Sequence, residues 1–500
     1  MRAFFILTGI TLTALVLGCW RMDHPGLYYD EMLFGNAAVG GKTDDFVRLR
    51  IASVPFLLMD YIGALKSWLY YPVFSLFPVG YWSVRVPALL IGLAGGLWLV
   101  AALWVGFGRS AALAGAVLIL LDPTLITQAR LDWGPNALMF FFRGLMVFSL
   151  VNWIKTGTVR WAWLALVAAG LGIFDKLNFL WISSSGAGAL VLVYADTLRS
   201  FARAHRRHAL ALAVLAVGGL GAAAVRGILL AQHEDIGWPG RIGYALTLLR
   251  YVFCGGGALD FISGDGLRLE RWILPGYLLT VLVALRGRVR DKRLYAWIWV
   301  FAGLLCVAFI LTKSATGPHH ASVLSGIWQL TLAPLLGAAW DNAPARWTVP
   351  VGLALAGAGC VIANVICIRA FDNPVNPNWD PANTRAALFA RAYPEARFLC
   401  TDWGIGTLVI TLTRDQPGAM DAWPAFTRPD DAVRFVRNLP RDKDLYIYTR
   451  LPGFENFKDN RANLLLALDS NHISHTVAAR FPDRKGTAMI EIWRVPAAPK

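Results

Sequence analysis

The sequence predicts an α-helical polytopic membrane protein of about eleven transmembrane helices with a small C-terminal α/β domain outside the membrane. Three observations lead there. Of 500 residues 56% are hydrophobic and only 16% charged, with a mean hydropathy of +0.50, where soluble chains carry about 25% charged residues. The apolar residues gather in runs that approach the roughly 20 residues needed to cross a bilayer. After Ile368 those runs stop and short alternating segments begin. The 21 Trp, 27 Phe and 14 Tyr exclude a disordered chain, because so much apolar surface cannot stay solvated.

In chain order the predicted spans are 3–20, 82–105, 110–128, 134–152, 161–174, 178–195, 209–230, 272–285, 294–312, 320–340 and 348–369. Trp20, Arg21 and Met22 follow the first run without a small-residue cleavage pattern, so it reads as a retained anchor. The net charge of +15 decides the orientation. With the N-terminus inside, the short loops 106–109, 153–160, 196–208, 286–293 and 341–347 carry Arg109, Lys155, Arg160, Arg199, Arg203, Arg286, Arg290, Arg293 and Arg346. The longer loops 21–50 and 231–271 hold Asp30, Glu31, Asp44, Asp45, Glu234, Asp235, Asp265 and Glu270 and lie outside, with the C-terminus. The basic excess is thus a topology signal in a multi-pass protein of the cell (inner) membrane rather than a nucleic-acid patch. Residues 51–80 are apolar but broken by Pro55, Asp60, Lys66 and Pro72, which predicts helices lying in the outer interface.

The domain boundary falls near 370: residues 1–370, including the outer loop 21–81, form the membrane domain and 371–500 the extracytoplasmic domain. In the latter, Phe398–Cys400, Leu445–Tyr448, 474–481 and 487–495 read as strands, and 429–438 and 459–469 as helices. Thr401-Asp402-Trp403-Gly404-Ile405-Gly406 is too short for a dinucleotide fingerprint and reads as a turn opening a helix. The six cysteines show neither a disulfide framework nor metal-ligand spacing, and only Cys254 and Cys400 fall where two thiols can meet outside the membrane.

Four clusters carry possible chemistry. Tyr28-Tyr29-Asp30-Glu31-Met32-Leu33-Phe34-Gly35 places an acidic pair among aromatics, either a solvated pair beside an interfacial belt or a base whose proton affinity is raised by its surroundings. Gln128-Ala129-Arg130-Leu131-Asp132 marks the outer end of the third span. Asp175-Lys176 lies between two apolar runs, either self-neutralising at a turn or offering Lys176 to a phosphate with Asn178 beside it. His319-His320 precedes the tenth span. Adjacent histidines rarely reach one metal ion, so site lining or a helix cap is the commoner reading. Arg143, near the middle of the fourth span, needs a partner or water, and Asp122 in the third span is the candidate for a structural pair.

Together these features resemble the GT-C glycosyltransferases, in particular the protein O-mannosyltransferase and aminoarabinose-transferase-like branch that uses polyprenyl-phosphate sugars. Asp30-Glu31-Met32-Leu33-Phe34-Gly35 is similar to that branch's Asp-Glu-x-x-Phe-Gly loop, Gln128–Asp132 with Phe140-Phe141-Phe142 to its second acidic stretch, and Ser83-Val84-Arg85-Val86-Pro87 to the entry of its second span. The resemblance implies an inverting transfer from a polyprenyl-phosphate sugar donor to a hydroxyl of a glycan, lipid or protein at the outer membrane face. It implies Asp30 as base, Glu31 and Asp132 as its orienting partners, Lys176 and Arg130 at the donor phosphate, and His319, His320 and Asn178 as possible lining. No cofactor is implied, and a divalent metal is not indicated. The competing classes are a transporter or lipid flippase, and a related oligosaccharide ligase or polymerase.

Overall fold

The structure, a computed structural model, describes the chain except residues 41–46, 231–236, 255, 265–269, 286, 312–317, 343–346, 416–417 and 499–500. Asp44, Asp45, Glu234, Asp235, Asp265, Arg286 and Arg346 therefore lie outside the described residues, as do the side chains of Cys254 and Glu270. The chain divides into two compact units. One comprises Met1–Trp20, Asp60–Gly63 and Arg85–Ala370, and the other Arg21–Met59, Ala64–Val84 and Phe371–Lys500. Residues 21–81, grouped with 1–370 in the sequence reading, thus fall for their larger part in the unit of the C-terminal residues.

The first unit is a helical bundle. Among the described residues eight helices are long and apolar enough to cross a membrane, or up to ten when two bent pairs each count as one span. Each predicted apolar run is helical over most of its length, but the lengths differ. The run 110–128 is two helices, Arg109–Leu120 and Pro123–Leu131, bent by 53°. The cause is local: the Asp122 carboxylate accepts the Thr124 N–H at 2.7 Å, and Pro123, which has no N–H to donate, starts the second helix. Asp122 also accepts from the Gln329 amide. Arg143 donates to the carbonyls of Val323 at 2.9 Å and Ser322 at 3.3 Å. The two do not form the direct ion pair suggested from sequence, because each finds a nearer uncharged partner.

Small residues let the helices Tyr81–Phe107 and Asn136–Thr156 touch: a Cβ on Gly144 would sit 2.1 Å from the Gly95 carbonyl, and one on Gly95 would sit 2.4 Å from the Phe140 carbonyl. At the bundle's basic loops Lys155 pairs with Asp291 at 2.6 Å and Arg293 with Asp196.

The second unit is built on a five-stranded sheet in the order Ala419–Asp421, Arg397–Cys400, Leu445–Arg450, Ala488–Val495, Thr476–Pro482. The first three strands are parallel and the last two antiparallel. Helices Pro429–Arg437 and Asn460–Ser470 cover one face, where Phe426, Leu445, Ile447, Leu464, Leu468 and Trp493 close a core. The predicted C-terminal strands and helices all form. Strand Ala419–Asp421 and helix Pro381–Phe389 were not anticipated, and helix Ile405–Thr413 opens at Gly404 as the sequence implies.

The prediction of interfacial helices over 51–80 needs correction. Leu49–Ile51 and Val54–Met59 form an antiparallel hairpin, and only Leu65–Leu76 is a long helix there. The hairpin turn is Ala52-Ser53, with φ of 48° and 71°. Both central residues sit where a tight hairpin demands positive φ, a place usually held by Asn or Gly. Without those residues the turn carries no sequence signal.

Candidate active site

The acidic pair opens the helix Tyr29–Val39. Glu31 is fully buried and reaches back to accept the backbone N–H of Tyr28 at 3.0 Å, closing the first turn from its third position. Asp30, one residue earlier, is half-buried and stays within reach of solvent. Its charge lies in the first turn, where exposed N–H groups and the helix dipole favour an anion. The two neighbours therefore differ in environment: one carboxylate caps the backbone and the other is presented.

What fixes this helix lies far away in sequence. The Tyr28 ring stacks on Trp379 with centroids 4.2 Å apart, and Tyr29 meets Trp403 at 4.4 Å. Gly26 N–H donates to the Trp379 carbonyl at 2.7 Å and Leu27 N–H to the Thr384 hydroxyl at 3.1 Å. A Cβ on Gly26 would meet the Asp380 carbonyl at 2.6 Å, so glycine is required there. On its other side the helix rests on Ile405–Thr413, where Gly35 admits the Thr411 methyl and Thr411 donates to the Met32 carbonyl at 3.3 Å. Burial and, after it, the charges of Asp30 and Tyr29 hold the Tyr28 phenol far above its usual range, so it stays neutral.

Behind Trp403 is a buried ionic contact. Arg450 and Asp402, each 2% exposed, approach to 3.7 Å. Arg450 also donates to Asn383 Oδ1 at 3.1 Å and to the Phe454 carbonyl at 3.2 Å, while Asp402 accepts the Trp403 and Asn456 backbone N–H groups. Burial raises the Asp402 carboxyl against the lowering effect of Arg450. Lys66 is a cation that sequence reading treated only as an interruption: it is 3% exposed, with its ammonium 4.4 Å from the Phe34 ring and 5.2 Å from that of Tyr70. Its placement against Phe34 was not legible, since it depends on how Leu65–Leu76 packs on Tyr29–Val39.

In the first unit the other candidates gather around one turn. Asp132 ends the helix Pro123–Leu131 in a left-handed conformation, with φ of 44°, and its Oδ1 accepts the Ala137 N–H at 2.8 Å. Gly134, at φ of 63°, follows. Lys176 is 2% exposed and donates to the Gly134 carbonyl at 3.1 Å. The Trp133 ring lies 4.5 Å from that of His319, which lies 4.1 Å from that of His320. Asn136 bridges the cluster, donating to Gln128 Oε1 at 2.8 Å and accepting the Ser322 hydroxyl at 2.8 Å. Asp132, Lys176, His319 and His320 therefore share one locus, although 187 positions of chain separate the first residue from His319.

Lys176 is held by its backbone. It caps the helix Val159–Asp175 in an extended conformation and bridges Ile62, while Leu177 N–H donates to the Tyr61 carbonyl at 3.0 Å. Gly63 makes this approach possible, since a Cβ there would stand 2.3 Å from the Phe174 carbonyl. Asn178 begins the next helix, and both polar atoms of its amide are buried without a hydrogen-bond partner, as is Nδ1 of His319. Such orphaned atoms are costly unless something else meets them. Arg130 is fully buried and donates to the Trp20 carbonyl at 2.9 Å, tying the end of the first helix. Cys400 is a buried free thiol. Among the described residues no three His, Cys, Asp or Glu side chains gather as a metal site.

The fold is similar to that of known structures. ArnT from Cupriavidus metallidurans in the apo state is similar over 98% of this chain and 97% of that chain, at a TM-score of 0.61 and 14% identity. The Archaeoglobus fulgidus oligosaccharyltransferase tethered with an acceptor peptide is similar over 97% of this chain and 73% of that chain, at 0.53 and 13%. The oligosaccharyltransferase AglB of that organism, in complex with an inhibitory peptide and a dolichol-phosphate, is similar over 89% and 69%, at 0.50 and 13%. No curated protein matches the sequence. Residues 64–219 match the family described as dolichyl-phosphate-mannose-protein mannosyltransferase. By fold, then, this membrane protein is similar to the GT-C glycosyltransferases, the likeness that the acidic loop and span pattern led us to expect.

Proposed function

We propose that the protein transfers a sugar from a polyprenyl-phosphate donor to a hydroxyl acceptor, a glycan, lipid or protein, at the outer face of the cell (inner) membrane. The observation that carries this reading is the different treatment of two adjacent carboxylates, Glu31 spent on the backbone and Asp30 left presented at a helix start. A hydroxyl is a poor nucleophile, and a carboxylate that takes its proton during attack on the anomeric carbon contributes roughly 10²- to 10⁴-fold. Asp30 is assigned that role. Glu31 holds the turn that aims it. Direct displacement of the polyprenyl phosphate inverts the anomeric centre.

The leaving phosphate gains charge on its oxygens as the bond breaks, and a preorganised cation stabilises it. Lys176 is assigned to that phosphate, with the unmet amide of Asn178 and the rings of His319 and His320 lining its surroundings. Asp132 orders the turn that presents the Gly134 carbonyl to Lys176. Arg130, which also donates to the Trp20 carbonyl, is assigned with Lys176 to the donor phosphate. A flippase or transporter reading would place charged residues for passage rather than for proton transfer, and no observation favours it.

The test is transfer assayed with purified full-length protein in detergent against a panel of polyprenyl-phosphate hexose and pentose donors. Asp30→Asn is expected to lower turnover by roughly 10²- to 10⁴-fold while donor binding persists. Transfer by Asp30→Asn at the parent rate would remove Asp30 as the base.

A further inference from the structure

The helix Leu65–Leu76 is turned inside out by the standard of a soluble fold. Lys66 and Ser67 are buried with Tyr70 and Phe74, whereas Trp68, Leu69, Tyr71 and Leu76 are exposed. The apolar surface continues through Phe77, 58% exposed, and Trp82, 60% exposed, in the first turn of the span Tyr81–Phe107. Exposed apolar patches of this kind mark an interaction surface. Aromatic residues at the mouth of a membrane span mark the lipid headgroup level.

Next to this rim the same unit contains a cavity of about 460 Å³, within the roughly 300–1,000 Å³ typical of ligand pockets. Leu76, Phe77, Val79 and Leu412 line it, together with two guanidinium groups, Arg391 and Arg414. Among the described residues both arginines are anchored through backbone carbonyls. Arg391 donates from Nε and Nη2 to the Leu412 carbonyl and from Nη2 to that of Val79 at 3.1 Å. Arg414 donates from Nη2 to the carbonyls of Phe74 and of Phe77. No carboxylate pairs with either one among the described ion pairs, so Nη1 of Arg391 and Nε and Nη1 of Arg414 remain for a ligand. Burial and then the charge of Arg414 hold Arg391 below its ordinary pKa, which an anion lodged near both would reverse.

We propose that this cavity binds the phosphate of an anionic glycerophospholipid, with its acyl chains against Leu76, Phe77 and Trp82. Forked N–H donors match phosphate oxygens, and the apolar rim selects a phosphate that arrives on a lipid over one free in solution. The site is separate from the assigned base and phosphate residues. It anchors the unit that carries Asp30 to the leaflet where a lipid-borne donor presents its sugar.

The experiment is native mass spectrometry of the full-length protein released from detergent, titrated with short-chain phosphatidylglycerol, phosphatidylcholine and diacylglycerol. The parent is expected to bind phosphatidylglycerol tightly and diacylglycerol weakly. Arg391→Gln/Arg414→Gln is expected to weaken phosphatidylglycerol binding about tenfold. Because Arg414 also ties down Phe74 and Phe77, a second variant, Phe77→Ser, removes the rim and keeps both guanidiniums, and it is expected to weaken all lipids alike. Equal binding of phosphatidylglycerol and diacylglycerol by the parent, which needs no variant, overturns the proposal. So does unchanged phosphatidylglycerol binding by a folded double variant.

Discussion

Replacing Arg450 with Met tests whether the aromatic support of the acidic helix depends on a buried charge. Arg450 is fully enclosed, 3.7 Å from Asp402 and bonded to Asn383 and the Phe454 carbonyl. Methionine fills a similar volume without the charge, so the change leaves a buried carboxylate without its cation, held by backbone N–H groups that include those of Trp403 and Asn456. Breaking one side of a buried pair costs about 3–5 kcal/mol. For a domain of roughly 150–250 residues that lowers the midpoint by about 10 °C. The cost also depends on pH. The folded Asp402 carboxyl already titrates above its usual value because of burial, so its neutral form favours the fold at low pH and that contribution is lost as pH rises through the folded pKa. Loss of Arg450 widens this shift, making the deficit larger at about pH 8 than at about pH 5. Thermal unfolding of the purified full-length protein, read from tryptophan fluorescence, measures it. Adding Asp402→Asn is expected to recover much of the loss, since the orphaned charge is gone. A midpoint within about 2 °C of the parent, or a deficit independent of pH, would refute the buried-charge argument.

Two further outcomes separate structure from chemistry at the acidic helix and the glycine turn. Glu31→Gln keeps an oxygen for the Tyr28 N–H and is expected to retain stability, whereas Glu31→Ala loses the cap at about 1 kcal/mol; equal unfolding midpoints for the two would deny Glu31 its capping role. Gly134→Ala places a Cβ 3.0 Å from the His319 ring and 3.1 Å from the Lys176 ammonium at a positive φ, a conformation costing roughly 1–2 kcal/mol for a non-glycine residue. It is expected to raise the apparent KM for donor more than it alters overall stability, and unchanged steady-state kinetics would show that Lys176 does not rely on that turn.

Much of the fold is legible in the sequence for one reason: a span is a local property. Twenty apolar residues bury or face lipid whatever their neighbours do, so runs such as 348–369 and 294–312 announce themselves. The failures arise where a local signal is overruled or missing. Asp122-Pro123 sits inside an apolar run and looks like an interruption, yet it caps a new helix and bends the path by 53°. The hairpin at Leu49–Met59 turns on Ala52-Ser53, residues that do not favour the positive φ they adopt there. Its apolar strands then read as interfacial helix. Arg143 shows the same limit, since carbonyl partners on a distant segment leave no trace in sequence.

The site divides in the same way. Asp30 and Glu31 were visible because two carboxylates among aromatics form a compact pattern in one stretch, and Lys176 because an ionic residue between apolar runs demands a reason. The sequence by itself determined that this is a multi-pass membrane protein with an acidic loop after its first apolar run and a small α/β tail, because hydrophobic periodicity and charge placement are written residue by residue. Only the tertiary structure decided that Trp379, Trp403 and Ile405–Thr413 hold the acidic helix, that Glu31 caps while Asp30 is presented, and that Lys176 meets the Gly134 turn beside His319. Those contacts join segments up to 379 positions apart, and their existence depends on which surfaces pack together, a choice made by the whole folded chain.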